Sequence, residues 1–221
     1  MVKKLVKRKK ISVKKILIIL LFVILSILAI WGIYKFTSIF LFDKDNKKVV
    51  ENVKKEEINL ENYDYFIRSN ATDYEKTLFN ELTKVLSKEE VLVDDYAKII
   101  AKLFTSDLFT LSNKTGSSDI TSSQYVYDNY RSTFELMVKD TMYASIEIDL
   151  DGKREQDLPT VKNVEISSVE MKKFYEGNEV LDDNAYYIVV SIEYEKDFGY
   201  PSTYEVVLVK NNDLLQVVKA S

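Results

Sequence analysis

A chain of 221 residues with no cysteine and no histidine excludes disulfide staples, thiol nucleophiles, thiolate metal sites and every mechanism that relies on an imidazole. Its five glycines are scattered, and neither a phosphate-cradling loop nor a dinucleotide fingerprint occurs. The formal charge is −4, but the first fifteen residues carry +8, so the remainder stands at −12, a poor electrostatic match for nucleic acid.

Ile16 to Tyr34 is a run of nineteen residues without a charge, in which Ser26 is the only strongly polar side chain. As a helix it reaches roughly 28 Å, about the hydrocarbon thickness of a bilayer. Residues 1–15 hold Lys3, Lys4, Lys7, Arg8, Lys9, Lys10, Lys14 and Lys15 and no acid. That asymmetry predicts a basic cytoplasmic tail over 1–15, a transmembrane helix over 16–34, and an extracytoplasmic location for everything after Lys35. The run is longer than the apolar core of a cleavable signal peptide. Phe36 to Phe42 follows it in place of an Ala-x-Ala site, so an uncleaved anchor is expected. Trp31 and Tyr34 suit the outer aromatic belt, and Lys35 is placed to snorkel. Ser26, Ala29 and Gly32 do not make a small-xxx-small pairing face, and a chain without cysteine carries no lipid thioether.

Residues 35–60 read as a juxtamembrane segment and a stalk, mostly charged from Asp43 onward. Residues 61–221 then suffice for one globular domain held by packing alone. Thr72 and Glu75 make a capping box, followed by Leu78, Phe79, Leu82, Val85 and Leu86 at helical spacing. A second helix is expected from Asp94 to Leu111, with Ile99, Ile100, Leu103, Phe104, Leu108 and Leu111 on one face. Asn113 to Asp119 reads as a polar loop. A third helix is expected from Asp128, with Tyr130, Phe134, Met137 and Val138 turned inward. Ile146, Ile148 and Leu150 alternate with acids and read as a strand.

After Pro159 the period is two. Val164 and Ile166 open a strand that continues through Val169 and Met171 after a change of phase. Tyr186, Ile188, Val190, Ile192 and Tyr194 make the cleanest alternating face. Tyr204, Val206 and Leu208 follow, then Leu215 and Val217, joined by a short loop at Asn211-Asn212-Asp213, with Gly199-Tyr200-Pro201 in the preceding connection. Helices followed by hairpin-connected strands predict an α+β fold: about three helices packed on a curved antiparallel sheet of about four strands.

With its tail, span, stalk, helices and curled sheet in that order, the chain resembles the bitopic assembly proteins of type IV secretion and conjugation machines over residues 16–221. Their outer domain has the roll fold of nuclear transport factor 2, of the cystatin-like kind. An Asn-Pro-x-Gly-like turn of some of those proteins has no match here, Phe198-Gly199-Tyr200-Pro201-Ser202 being the nearest segment. The stretch Phe104 to Ile120 is similar to membrane-anchored proteins of low-GC Gram-positive bacteria whose activity is uncharacterised. Partners within a membrane complex are what the resemblance implies, and a composition rich in Lys, Ile, Asn and Tyr with five Gly and two Pro suggests a bacterial origin.

The remaining routes to catalysis are carboxylates, a Ser-Lys pair or an oxygen-ligated metal. Thirty-five acids guarantee accidental pairs, so no glycosidase-type dyad stands out. Ser117, Ser118, Ser122 and Ser123 near Lys114 read as a polar loop. Glu147-x-Asp149-x-Asp151-Gly152 with Glu155 has the alternation of a calcium loop, but Glu stands first and Leu158 occupies the bidentate position, so an Asp-Gly turn after an amphipathic strand is preferred. Tyr125, Tyr127, Tyr130, Tyr143, Tyr186, Tyr187, Tyr194 and Tyr204 would line a helix–sheet cleft or pack as core. Asn70-Ala71-Thr72 and Asn113-Lys114-Thr115 match the glycosylation triplet by chance.

No residue is therefore assigned as catalytic, metal-binding or cofactor-binding, and no cofactor is expected. The reading is a non-enzymatic, single-pass membrane protein whose outer domain binds other proteins in a transport or envelope assembly. The alternative is an envelope sensor or carrier that takes a small ligand or peptide in the helix–sheet cleft. Expected partners are the bilayer, through residues 16–34, and proteins of a membrane complex, self-association being a further option. Nucleic acid is not among them.

Overall fold

A computed structural model describes residues 58–60, 63–149 and 151–221. The basic tail, the span at 16–34 and most of the stalk lie outside these residues. Among the described residues no helix is long and apolar enough to cross a membrane. The observed architecture is α+β: three helices pack against an open four-stranded antiparallel sheet.

Strands β1 (Ile58–Leu60) and β2 (Tyr65–Ile67) form a small antiparallel pair. Helix α1 (Asp73–Leu86) begins at the predicted capping box: Thr72 Oγ1 accepts from Glu75 N at 3.1 Å, and Glu75 Oε2 accepts from Thr72 N at 2.7 Å. Its predicted apolar stripe is buried throughout. Helix α2 (Val93–Phe109) is the central element. Tyr96, Ala97, Ile100, Ala101, Leu103 and Phe104 are among its buried residues, because α1 covers one side and the sheet another. A 3₁₀ turn (Thr121–Tyr125) leads to α3 (Asp128–Asp140).

Two expectations are corrected in this half. Val138 is buried and Phe134 partly buried against Phe104, with ring centroids 5.8 Å apart, but Met137 is 56% exposed and points outward. Phe134 and Val138 are four residues apart and share a helix face. Met137 lies about 60° from Phe134 on the side away from Val138, beyond the edge of the face that α2 covers. The strand expected at Ile146–Leu150 does not form over its described residues, Ile146 to Asp149. Ile146 is buried, whereas Ile148 is 78% exposed, and Leu150 lies outside the described residues. Among the described residues no strand pairs with the segment; single bonds hold it, Asp149 N to Thr115 O at 2.9 Å and Glu147 N to Gln156 Oε1 at 3.0 Å. Alternation in sequence needs a neighbouring ladder before it becomes a sheet.

Strands β3 (Val161–Glu176), β4 (Glu179–Tyr194), β5 (Thr203–Asn211) and β6 (Leu214–Ala220) lie in sequence order. The phase change in β3 is a bulge between Ile166 and Ser168. It lets Val164 and Ile166, and then Val169 and Met171, oppose Ile192, Val190, Ile188 and Tyr186 in turn. Gly177 has φ +62° at the first position of the two-residue turn joining β3 to β4, a conformation that favours glycine. Along β4, strand β5 reaches only Tyr186–Ser191, so the distal halves of β3 and β4 run on as a two-stranded arm. Further register shifts near Phe174 bend the arm. Its Phe174 and Leu181 pack with Tyr187, Val207 and Val209 in a small second core, and Tyr130 donates to Glu176 Oε1 near its tip at 2.6 Å.

Candidate functional site

The tyrosines do not converge on one pocket. Tyr186 and Tyr187 are consecutive on β4, so the pleat sends them to opposite faces. Tyr186 joins the main core and Tyr187 the small second one, with Tyr127 beside it. Tyr143 is fully buried and donates to Leu108 O at 2.8 Å, and Tyr204 meets Phe109 edge-on at 5.0 Å. Burial pushes the phenols of Tyr125 and Tyr143 well above their ordinary range, so both stay neutral.

Polar side chains do converge where the loop after α2 folds under α1. Glu75 comes from the first turn of α1, Asp107 from the last turn of α2, and Lys114 and Asp119 from the loop. Arg68 follows β2. Arg68 Nη1 donates to Asp119 at 2.6 and 2.7 Å, and Asp119 Oδ2 also accepts from Thr115 N at 2.7 Å. Lys114 is 1% exposed; its ammonium donates to Asp107 Oδ1 and to Thr121 Oγ1. Arg154 ties the loop from outside, reaching Ser112 O at 2.7 Å and Lys114 O at 2.8 Å. A cavity of about 20 Å³ lies inside the cluster, lined among others by Arg68, Glu75, Asp107, Asn113, Gln124 and Tyr125.

Burial drives the Glu75 carboxyl above its ordinary 4.5, and the Asp107 charge adds to that. Lys114 and the Thr72 amide oppose without reversing it. Burial also pushes Asp119 up, but Arg68 outweighs it and holds that carboxyl below its ordinary 3.8. The signs give opposite pH dependences. The folded state holds the Glu75 proton more tightly than the unfolded chain, so stability rises as pH falls from above the raised value toward 4.5. Below about 3.8 the Asp119 contribution is lost as that carboxylate protonates. With choline as the only cation, a urea-midpoint profile against pH is therefore expected to climb on mild acidification and then fall, and Glu75→Gln should flatten the climb alone.

These partners bear on the motifs seen in sequence. The Lys114 ammonium engages Asp107 and Thr121 rather than a serine. Asn70 Nδ2 donates to Asn113 O at 2.8 Å and Asn113 Nδ2 to Glu75 Oε2 at 3.2 Å, so both amide nitrogens of the glycosylation triplets are engaged inside the cluster. Asp149 Oδ1 accepts from Lys153 N at 2.8 Å across a turn with Gly152 at φ +69°. Among the described residues no group of three or more acidic side chains is gathered as metal ligands would be. The cluster itself escaped sequence reasoning, since its members span Arg68 to Asp119 and only the fold brings them together.

No protein-family description, no curated protein and no solved structure matches this chain.

Proposed function

We propose that this is a single-pass membrane protein, anchored by residues 16–34 with its N-terminus cytoplasmic. Its acidic extracytoplasmic domain, a roll of the nuclear transport factor 2 and cystatin-like kind, serves as a non-enzymatic scaffold in a secretion- or conjugation-type envelope complex. The uncharged run behind eight basic residues supports the anchor and its orientation.

The observation that carries the protein-binding part is a group of exposed apolar side chains on ordered elements. Leu92 and Val93, at the start of α2, are 50% and 38% exposed, and Met171 on β3 is 55% exposed. They gather around the hydrogen bond from Tyr186, the cross-strand partner of Met171, to Asp94 Oδ1 at 2.7 Å. Exposed apolar groups fixed on rigid elements are what a partner surface covers.

The test is a mild crosslink in intact cells, followed by detergent extraction and mass spectrometry of what travels with the full-length protein. A reproducible set of partners from one membrane apparatus is expected. Met171→Glu should reduce their recovery roughly tenfold, the effect of losing about 1.4 kcal/mol of apolar anchoring. Recovery of the protein alone would sink the scaffold reading and turn the search to small ligands of the outer domain.

A further inference from the structure

Three residues lining the 20 Å³ cavity each present one buried oxygen that no donor among the described residues reaches: Glu75 Oε1, Asp107 Oδ2 and Asn113 Oδ1. Glu75 is only 3% exposed. Its other oxygen is already committed to Thr72 N and Asn113 Nδ2, as the other Asp107 oxygen is to Lys114 and Thr121. The other donors on the cavity wall, the remaining Arg68 N–H groups, Gln124 Nε2 and the Tyr125 hydroxyl, form no hydrogen bond with these oxygens. The three acceptors are thus left without a partner, and buried acceptors left so are costly.

The charges agree with the geometry. When Glu75 is ionised, Arg68 and Lys114 face Glu75, Asp107 and Asp119, one negative charge in excess, which the carboxyl otherwise relieves by holding a proton. A water molecule fits about 20 Å³ but brings only two hydrogens to three acceptors and cancels no charge. A small cation bound among these oxygens would supply the counter-charge that water does not. Two carboxylate oxygens and an amide oxygen are a hard donor set, suited to an alkali or alkaline-earth ion and not to a soft transition metal. A divalent ion would reverse the excess to one positive charge beside Lys114.

We infer that the cavity between α1, α2 and the loop after α2 is a binding site for one small monovalent cation of sodium's class, held by Glu75, Asp107 and Asn113. The ion would tie the N-terminus of α1 to the C-terminus of α2 and to the loop, which share no backbone ladder.

The test uses the purified full-length protein in mild detergent, exchanged into choline chloride and titrated with sodium chloride at constant ionic strength. The thermal unfolding midpoint is followed by far-ultraviolet circular dichroism. Sodium should raise the midpoint saturably, by roughly 3–6 °C at a tenfold excess over its dissociation constant. Calcium chloride at equal ionic strength should raise it less. Glu75→Gln should abolish the sodium-specific rise, and Asn113→Asp, which adds one charge to the ligand set, should shift the preference toward calcium. Equal midpoints in sodium and choline would overturn the inference and leave water as the occupant. An equal rise with every salt, or a sodium rise that survives Glu75→Gln, would overturn it as well. The wild-type titration decides the matter even if a variant fails to fold.

Discussion

Replacing Lys114 by methionine should destabilise the outer domain by about 3–5 kcal/mol, the usual result of leaving a buried charge without its partner. The Lys114 side chain is 0% exposed and that of Asp107 14%, so solvent screens their interaction little. Without the ammonium, Asp107 keeps only the Thr121 hydroxyl at 2.8 Å while Glu75 remains close enough to repel. Methionine matches the stem of lysine in length, so packing changes little and the loss reports on charge. The double variant Lys114→Met with Asp107→Asn removes both charges and retains an acceptor for Thr121. It should recover about 1–3 kcal/mol relative to the single variant. Urea unfolding of the full-length protein, followed by circular dichroism, measures both. Equal midpoints for wild type and Lys114→Met would show that this ion pair is not buried in solution.

The cluster and the helices that hold it were unequally visible in the sequence, for a physical reason. Helix α1 was legible because its start is written locally: Thr72 and Glu75 lie three residues apart and cap each other wherever the rest of the chain goes. The bulge in β3 was legible as a slip in alternation between Ile166 and Val169, and the β5–β6 turn as an Asn-Asn-Asp run, with Asn212 taking φ +55°. The ion pairs carry no such local mark. Arg68 and Asp119 are 51 residues apart, and Lys114 sits in a stretch of Ser, Thr, Gly and Asn that has the composition of a solvated loop. Its burial follows from Arg154 and Tyr143 closing over the loop and the C-terminus of α2, which only long-range packing determines. Glu75 was legible as a cap but not as a buried carboxyl, since one oxygen caps the helix and the other faces the cavity.

The segment at Ile146–Leu150 and Met137 on α3 failed in the same way. Each pattern was real, and the neighbour it required was not there. That makes α3 the sharpest place to test the packing. Phe104→Ala should cost about 3–5 kcal/mol, through lost apolar transfer and a cavity in the middle of α2. Phe104 is 0% exposed, and its ring meets Phe134, so the loss also loosens α3 from α2. Met137→Ala, on the same helix as Phe134 but 56% exposed, should change stability by no more than about 0.5 kcal/mol. The two side chains are of comparable apolar size, so the contrast isolates burial. Denaturant midpoints with an unchanged slope for both variants would confirm that only stability moved. A loss for Met137→Ala of the size expected for Phe104→Ala would mean that α3 is rotated by about one residue, bringing Met137 toward the core. A small loss for Phe104→Ala would mean instead that α2 is not the centre of the domain.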